Sequence, residues 1–585
     1  MFRERFQEEI EYLRELGRAM AREYPVLEPF LDGAEGDAAI ERILEGAAFL
    51  SAQLREKLDD DIPELTHPML EALAPQLMRP GPAMSLLEFL PQGQLVSEPL
   101  RVPAGTEVDS REVEGVSCRF QTAWDVTLLP IGLEDARIEG EVDGPCELVL
   151  DFMLATGVKP EDLDLDRIRL FLTGDPEVRS TLYHFLAEAV GDVTIRPEGE
   201  GPAAARRLPP DAVRPAGFRE DERLWPEAGG LPPAFRLLHE FFTFSEKFWF
   251  VDVEGVGNLG LLGDGRKFAL RIAFDRPRPP ALRASPSDFR LNCTPIVNLF
   301  TRKSEAIPLV SGRSEFRVVP VDAEAGRVEV YGVNKVEGWT QGAVERQEFP
   351  AFDTLALPGS RTEGAAFFRV RSGASVADRR VDTWISLVDE HQLPANLEVD
   401  SGIAELLCTN GDLPAQLGEG EIDRATVTSP PVARFRNIGR VTPGAMPPID
   451  AELPWRLLAQ FSLNRHALAN ASALRWVIAS FDLRGLRDRQ ARRATERWLD
   501  GILDVRAVPE DVFSQGIASR GVCIEVELDA ACFDGPGEIS LFVRLLAELA
   551  PMFATENAAT RLVAVIQPSG ERWESPTRFG RQPVI

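Results

Sequence analysis

The spacing of apolar residues changes near residue 80 and again beyond residue 430, and these changes limit what the chain can fold into. Phe2, Phe6, Ile10, Leu13, Met20 and Tyr24 recur at steps of three, four or seven, which lays one apolar stripe along a charged helix. Pro25 stops that helix. A second helix is predicted from about Asp37, its N-cap, with Ile40, Ile43, Leu44, Ala47, Leu50, Leu54 and Leu58 on the inner face. Asp59–Asp61 and Pro63 close it, and Pro80-Gly81-Pro82 ends the region. From Met84 the period is two: Leu87 and Phe89 oppose Glu88, Val102–Val108 places a turn between strands, and Cys118–Pro130 continues as strand. A β-rich body with helical insertions runs to about residue 430, interrupted by a Pro- and Gly-rich stretch from Pro202 to Pro233 that reads as an exposed loop. Further on, Cys523, Glu525 and Glu527 alternate with Ile524, Val526 and Leu528. A helix with Phe542, Leu545, Leu546, Leu549 and Phe553 on one side follows, then an apolar strand from Leu562 to Ile566. Strand, helix, strand predicts a crossover unit. The expectation is a multidomain α+β protein: a helical segment 1–80, a β-rich central domain 81–290, a second β-rich domain 291–430 and a carboxy-terminal α/β domain 431–585.

Length agrees with that division, since 585 residues exceed one core and ~150 residues per domain suggests about four. A hydrophobic fraction of 44% and a charged fraction of 27% are those of a globular chain. The net charge of −29 argues against nucleic acid and against docking on anionic lipid. Six cysteines at 118, 146, 293, 408, 523 and 532 are too widely and irregularly spaced for a disulfide framework or a zinc site, and imply a reducing compartment. MFRERFQEEIEYLRE is too charged for a signal peptide, and no apolar stretch approaches the ~18 residues of a membrane span. A cytoplasmic protein is expected, without direct membrane insertion.

The candidate chemical motifs fail on context. Gly255-Val256-Gly257-Asn258-Leu259-Gly260 has dinucleotide-site spacing after a strand, but such a site needs a helix next. KFALRIAF reads as another strand, so the glycines mark a hairpin or loop. Gly260–Lys267 has Arg266 where a phosphate loop needs lysine. His67, His184, His239, His391 and His466 have no ligand spacing, and no nucleophile elbow or cysteine-protease pattern is present. No catalytic, cofactor-binding or metal-binding residue is predicted. Two features suit packing or association instead. The aromatic run Phe241, Phe242, Phe244, Phe248, Trp249 and Phe250 reads as core of the central domain or part of a permanent interface. Arg484, Arg487, Arg489, Arg492, Arg493 and Arg497 form a basic island, either a solvated face or a partner for an acidic neighbour.

Local physics leaves the Cys-Thr-Asn of LLCTNGDLPAQL, from Leu406 to Leu417, unexplained, and three further runs stand with it in the chain: FRLLHEFFTFSEKFWFVDVEG from Phe235 to Gly255, LNCTPIVNLF from Leu291 to Phe300, and WRLLAQFSLNRHAL from Trp455 to Leu468. In chain order they resemble the TssF family (also called VasA or ImpG), a structural subunit of the type VI secretion baseplate. The ILEGAAFL and KLDDDIPEL runs resemble the family's amino-terminal segment. Departures are modest: Ser245 where proline is common, Phe2 and Phe6 where tyrosines are frequent, and Gln582 where a second arginine is usual. The resemblance implies a scaffold without catalysis, related in fold to wedge proteins of contractile-phage baseplates. It implies a wedge of two TssF copies, one TssG and trimers of TssK. Six wedges would surround the VgrG spike beneath the sheath and its TssE connector, in the cytoplasm at the inner-membrane complex. Periodicity alone reads the first helix's stripe as core. The resemblance makes Phe6, Ile10, Leu13 and Met20 the candidate partner interface. The alternatives are a wedge subunit of another phage-tail-like contractile particle, and a cytosolic enzyme with an unrecognised site.

Overall fold

The computed structural model describes residues 63–91, 98–197, 205–226, 231–309, 313–321, 327–340, 346–352, 365–374, 381–391, 393–395, 399–445, 470–486, 488–514, 517–555 and 558–580, with residues 10, 13, 42–43, 45–49, 455 and 457–459. The chain divides into two compact units, one of residues 1–70 with 449–459 and one of residues 71–448 with 460–585.

In the smaller unit the described positions from 10 to 49 and from 455 to 459 are helical. Ile10, Ala48, Leu457 and Leu458 are buried. The second predicted helix is present at its described residues, but its inner face is not the expected one. Ile43 is 68% exposed and Ala47 is also exposed, whereas Ala48 is buried. One residue turns a helix by about 100°, so a helix with apolar residues on two sides does not by its pattern say which side faces inward. Ile40, Leu44, Leu50, Leu54 and Leu58 lie outside the described residues. Pro63, expected at the end of that helix, stands at the start of α1 (Pro63–Leu73), where the first helical position has no use for the N–H that proline lacks; Asp59–Asp61 lie outside the described residues.

The larger unit is built on sheets whose strands pair antiparallel, apart from one parallel pair near the carboxy terminus. The first has six strands in the spatial order Arg424–Ala425, Glu107–Val113, Val116–Thr122, Cys293–Val297, Met84–Pro91 and Ala433–Ile438. Strands on both sides of residue 290 share it, so a boundary there separates chain segments, not sheets. Between those stretches the chain forms two further sheets. One orders Arg206–Leu208, Val190–Pro197, Lys267–Phe274, Glu147–Leu154 and Ile131–Glu139; the other orders Val213–Pro215, Phe250–Asn258, Asp164–Leu172 and Phe289–Arg290. Lys267–Phe274 alternates half-buried and buried residues without a break, the pattern of a strand with one face on a core. The glycines at 255–260 carry the chain from one of these sheets to the other, and not around a hairpin within one. Gly255 and Gly257 both take positive φ, +72° and +70°, at a bulge where the register with Asp164–Leu172 shifts.

Two helices belong to this region. α2 (Pro176–Glu188) is capped by Asp175, whose carboxylate accepts from the Glu177 and Val178 amides. α3 (Pro233–Thr243) is buried at every position from Ala234 to Thr243. The Pro- and Gly-rich stretch before α3 is not an exposed loop: it carries two short strands and buries Leu208, Val213, Leu224 and Trp225. Composition set that expectation, yet the sheet edges beside this segment give its backbone groups partners.

A second β-rich layer pairs Phe300–Lys303, Ser401–Thr409, Glu329–Trp339 and Gln347–Phe349, beside a three-stranded sheet of Phe316–Arg317, Val381–Val388 and Phe367–Ala374. Towards the carboxy terminus come α4 (Ala471–Ala479), α5 (Arg489–Asp500) and the sheet Ile502–Ser514, Ile517–Asp529, Ala559–Gln567, Glu571–Glu574. Ile517–Asp529 and Ala559–Gln567 run parallel, connected through α6 (Pro536–Leu549), which is the predicted crossover unit.

Candidate functional site: buried junctions built from the family motifs

The first junction lies where the chain leaves one sheet for the next. Cys293–Val297 belongs to the six-stranded sheet and Phe300–Lys303 to the following one, so the connector Asn298-Leu299 must satisfy its polar groups inside the protein. Asn298 is fully buried, as are Thr409 and Asn410. The Asn298 Oδ1 accepts from Thr409 Oγ1 at 2.8 Å and from the Asn410 amide at 2.7 Å. Its Nδ2 donates to the Arg119 carbonyl at 2.7 Å and to Asn410 Oδ1 at 2.9 Å. The Asn410 Nδ2 donates to the Arg327 carbonyl at 3.0 Å, and Gly411 follows at φ +59°. This knot explains the Thr-Asn-Gly of LLCTNGDLPAQL and the second asparagine of LNCTPIVNLF. The first, Asn292, takes a left-handed conformation at φ +55°, which asparagine tolerates best among non-glycine residues. Its side chain accepts from the Leu129 amide at 3.1 Å. Cys293 and Cys408 are buried and serve as small apolar residues. Burial pushes the Cys408 thiol up to about 12 and the Cys293 thiol well above its ordinary value, so neither is a thiolate at neutral pH.

The second junction is ionic and centres on α3. Lys247 and Glu240 are both fully buried and lie 2.5 Å apart. The Lys247 ammonium also donates to the Glu222 carbonyl at 2.9 Å and sits 4.8 Å from the Phe248 ring centre. Arg236, one helical turn before Glu240, donates to its carboxylate at 3.2 and 3.3 Å, and the Leu224 amide adds a bond of 2.9 Å. Beside this set, Arg169 grips Asp252 by two parallel bonds of 2.7 Å and contacts Glu222, with the Trp124 ring 5.0 Å away. The Glu222 carboxylate accepts from the Gly217 amide at 2.7 Å and the Arg219 amide at 3.2 Å. Burial alone would raise Glu222; Arg169 and those amides more than reverse it and hold its pKa below the ordinary value. Burial depresses Lys247 against the pull of Glu240. The result is a network in which each buried charge has an opposite charge in contact, the condition under which charges persist in an interior.

The aromatic run around these groups is core: Phe241, Phe242, Phe244, Phe248, Trp249 and Phe250 are all buried. The basic island is divided. Arg484 donates to the Thr243 carbonyl at 3.2 Å, Arg497 pairs with Asp534 at 2.8 Å and Arg492 with Glu496 at 2.9 Å; Arg489 and Arg493 are exposed on α5, and Arg487 lies outside the described residues. Of the candidate partner interface, Ile10 is buried and Leu13 half-buried on a helix; Phe6 and Met20 lie outside the described residues.

His239 is buried, tilted against Trp225 at 5.0 Å, and burial lowers it to about 4, so it is neutral near pH 7. A cleft of about 680 Å³ includes Glu88, which pairs with Arg436 at 3.0 Å and Arg290 at 3.5 Å. A second of about 600 Å³ has Arg167 and Arg169 turned to Asp252 and Asp125 engaged by Arg101. Among the described residues no three His, Cys, Asp or Glu side chains stand together as a metal site would require, and no helix is long and apolar enough to cross a membrane.

Sequence reasoning missed the ionic junction. Its signal was present: Arg236 and Glu240 sit four apart inside an otherwise apolar helix, and Lys247 interrupts an aromatic run. Charges in such surroundings are buried together or not at all.

The architecture is strand-rich α+β, with motif residues held in interior junctions, and comparison with known proteins specifies the family. The family model described as type VI secretion system, TssF, matches residues 1–582. The chain belongs to the TssF family. It is 28% identical to the type VI secretion system component TssF1 of Pseudomonas aeruginosa, with 98% of each chain covered. Among solved structures it is similar to a chain of the type VI secretion system TssK-TssF-TssG baseplate subcomplex, with a TM-score of 0.79 and 28% identity over 93% of this chain and 100% of that one. A chain of the baseplate complex from the type VI secretion system shares the fold, with a TM-score of 0.69 at 24% identity over the whole of both chains.

Proposed function

We propose that this chain is a wedge subunit of the type VI secretion baseplate, binding TssG, TssK and a second copy of itself around the VgrG spike. In this reading it passes baseplate rearrangement to TssE and the sheath, in the cytoplasm at the inner-membrane complex. The carrying observation is the likeness along nearly the whole chain to a chain of a TssK-TssF-TssG subcomplex. The interior supports a mechanical role without catalysis: the motif residues are tied into junctions between sheets, buried thiols are held protonated and buried charges are paired. Rigid bodies with fully satisfied junctions transmit displacement because packed interiors deform little. The segments 1–80, 81–290, 291–430 and 431–585 are proposed as the functional divisions, with the helices of the first bundling against a partner through Phe6, Ile10, Leu13 and Met20. Co-expression with the TssG-like subunit followed by native mass spectrometry tests the reading. Two copies of this chain to one of the partner are expected, and a stable monomer that ignores the partner would overturn it.

A further inference from the structure

We propose that His184 is the proton-sensitive pin of a releasable seam between α2 and α6, where the β-rich body meets the carboxy-terminal α/β segment. The two helices run in the same direction and match in steps. The Gly537 amide donates to Ser180 Oγ at 2.9 Å, His184 Nδ1 meets Ser540 Oγ at 2.7 Å, and Arg544 pairs with Glu188 at 2.6 Å. Ser180, His184 and Glu188 lie on one stripe of α2, and Gly537, Ser540 and Arg544 on one stripe of α6. Gly537 makes the approach possible, since a Cβ there would stand 2.2 Å from the Ser180 carbonyl oxygen. These three steps of the seam are polar. A second set of contacts between the two regions is aromatic: Phe235 of α3 stacks on Phe481 at 5.0 Å, and Phe241 lies 5.1 Å from Trp498 of α5. Polar contacts exchange readily with water and apolar ones do not, so the seam can open while the aromatic joint holds.

The hydrogen bonds assign the His184 proton. Arg276 Nη1 lies 3.0 Å from His184 Nε2, and a guanidinium only donates, so Nε2 accepts and carries no proton. The ring proton is then on Nδ1, donated to Ser540 Oγ, whose own hydrogen goes to the Pro536 carbonyl at 3.1 Å. A second proton, on Nε2, would face the Arg276 N–H groups and break this chain of bonds. The charged groups around the ring are Arg276, which contacts Glu571, and Glu571 itself, 3.9 Å from Nε2. One turn on is the Arg544–Glu188 pair, with Trp573 Nε1 donating to Glu188 at 2.6 Å. A protonated His184 would turn from Arg276 to Glu571 and so loosen its hold on α6. Burial, opposed by Glu571 and aided by Arg276, depresses His184 to about 4. Because the folded value lies below the ordinary one, the seam is fastened above about pH 6.5 and loosens as the pH falls towards 4.

Hydrogen exchange on the purified full chain, corrected for the intrinsic pH dependence of amide exchange, tests this without reference to the secretion machine. Between pH 7 and pH 4, residues 176–188 and 536–549 are expected to lose protection while 471–482, which carry Phe481 of the aromatic joint, keep theirs. H184N, which retains a donor to Ser540 but does not titrate, should show no such loss. E571Q changes a side chain that is 42% exposed and should leave the fold intact; removing the opposing carboxylate should shift the loosening to lower pH. Nitrogen NMR of labelled histidine at pH 7 should find the His184 proton on Nδ1. The proposal is overturned if the two helices stay protected to pH 4, if they open together with 471–482, if H184N or E571Q responds as the wild type does, or if the proton is on Nε2.

Discussion

Single side chains in this protein carry obligations that apolar substitutes cannot meet. Asn298 makes four hydrogen bonds inside the knot. Asn298→Leu would leave the Thr409 hydroxyl, the Asn410 amide and the Arg119 carbonyl without their partner. At roughly 1–3 kcal/mol for each stranded group, we expect a loss of several kcal/mol in denaturant unfolding; a loss below about 1 kcal/mol would show that the knot is dispensable. His239 gives a pH signature. Its folded value of about 4 lies below the ordinary 6.5, so the unfolded chain binds the extra proton first as the pH falls. Stability from this residue is present above pH 6.5 and disappears progressively towards pH 4, by about 3 kcal/mol in total. His239→Gln should flatten that part of the stability profile, measured as melting temperature against pH with wild type alongside. An unchanged slope would count against His239 as its source.

At the scale of elements, α3 is a helix with no solvent face, so the charges on it are stable only as a set. Lys247→Met leaves Glu240 with Arg236 and one amide, and should cost about 3–5 kcal/mol because a buried carboxylate loses its closest cation. Combining it with Glu240→Gln should cost less than the two single losses summed. A double-mutant cycle in urea reads the coupling, and additive effects would mean that the pair is not a unit. The strand Phe250–Asn258 makes a simpler case. Gly257 sits at φ +70° with Arg206 Nη1 3.1 Å from where a Cβ would be. Gly257→Ala should destabilise by roughly 1–2 kcal/mol and leave the chain's behaviour towards nucleotides unchanged in calorimetric titration. Micromolar nucleotide binding that the substitution removes, with the fold intact, would revive the enzyme alternative.

For the whole molecule the open matter is where the chain ends and its partners begin. Ile10 is buried within the chain itself, whereas Leu13, also helical, is only half-buried. Ile10→Asp should therefore weaken the isolated protein, by several kcal/mol locally if the charge finds no partner, and show increased hydrogen exchange in the first helix. Leu13→Asp should leave melting of the isolated chain nearly unchanged but reduce co-purification with the TssG-like subunit. Equal effects of both substitutions on the isolated chain would return the stripe to the core.

What the sequence determined by itself was whatever depends on near neighbours. The period of two placed strands such as Met84–Pro91, strand-helix-strand spacing anticipated the crossover between the parallel strands Ile517–Asp529 and Ala559–Gln567, and the ordered motifs marked the family. Tertiary structure alone decided what those motifs are for. Asn298 lies more than a hundred residues from Asn410, and Arg169 more than eighty from Asp252. No local period records such partners, because a hydrogen bond or ion pair depends on distance in space and on exclusion of water. The same reason explains the helix face misjudged at Ile43 and the buried stretch before α3: burial belongs to what packs against a segment, which its own composition does not contain.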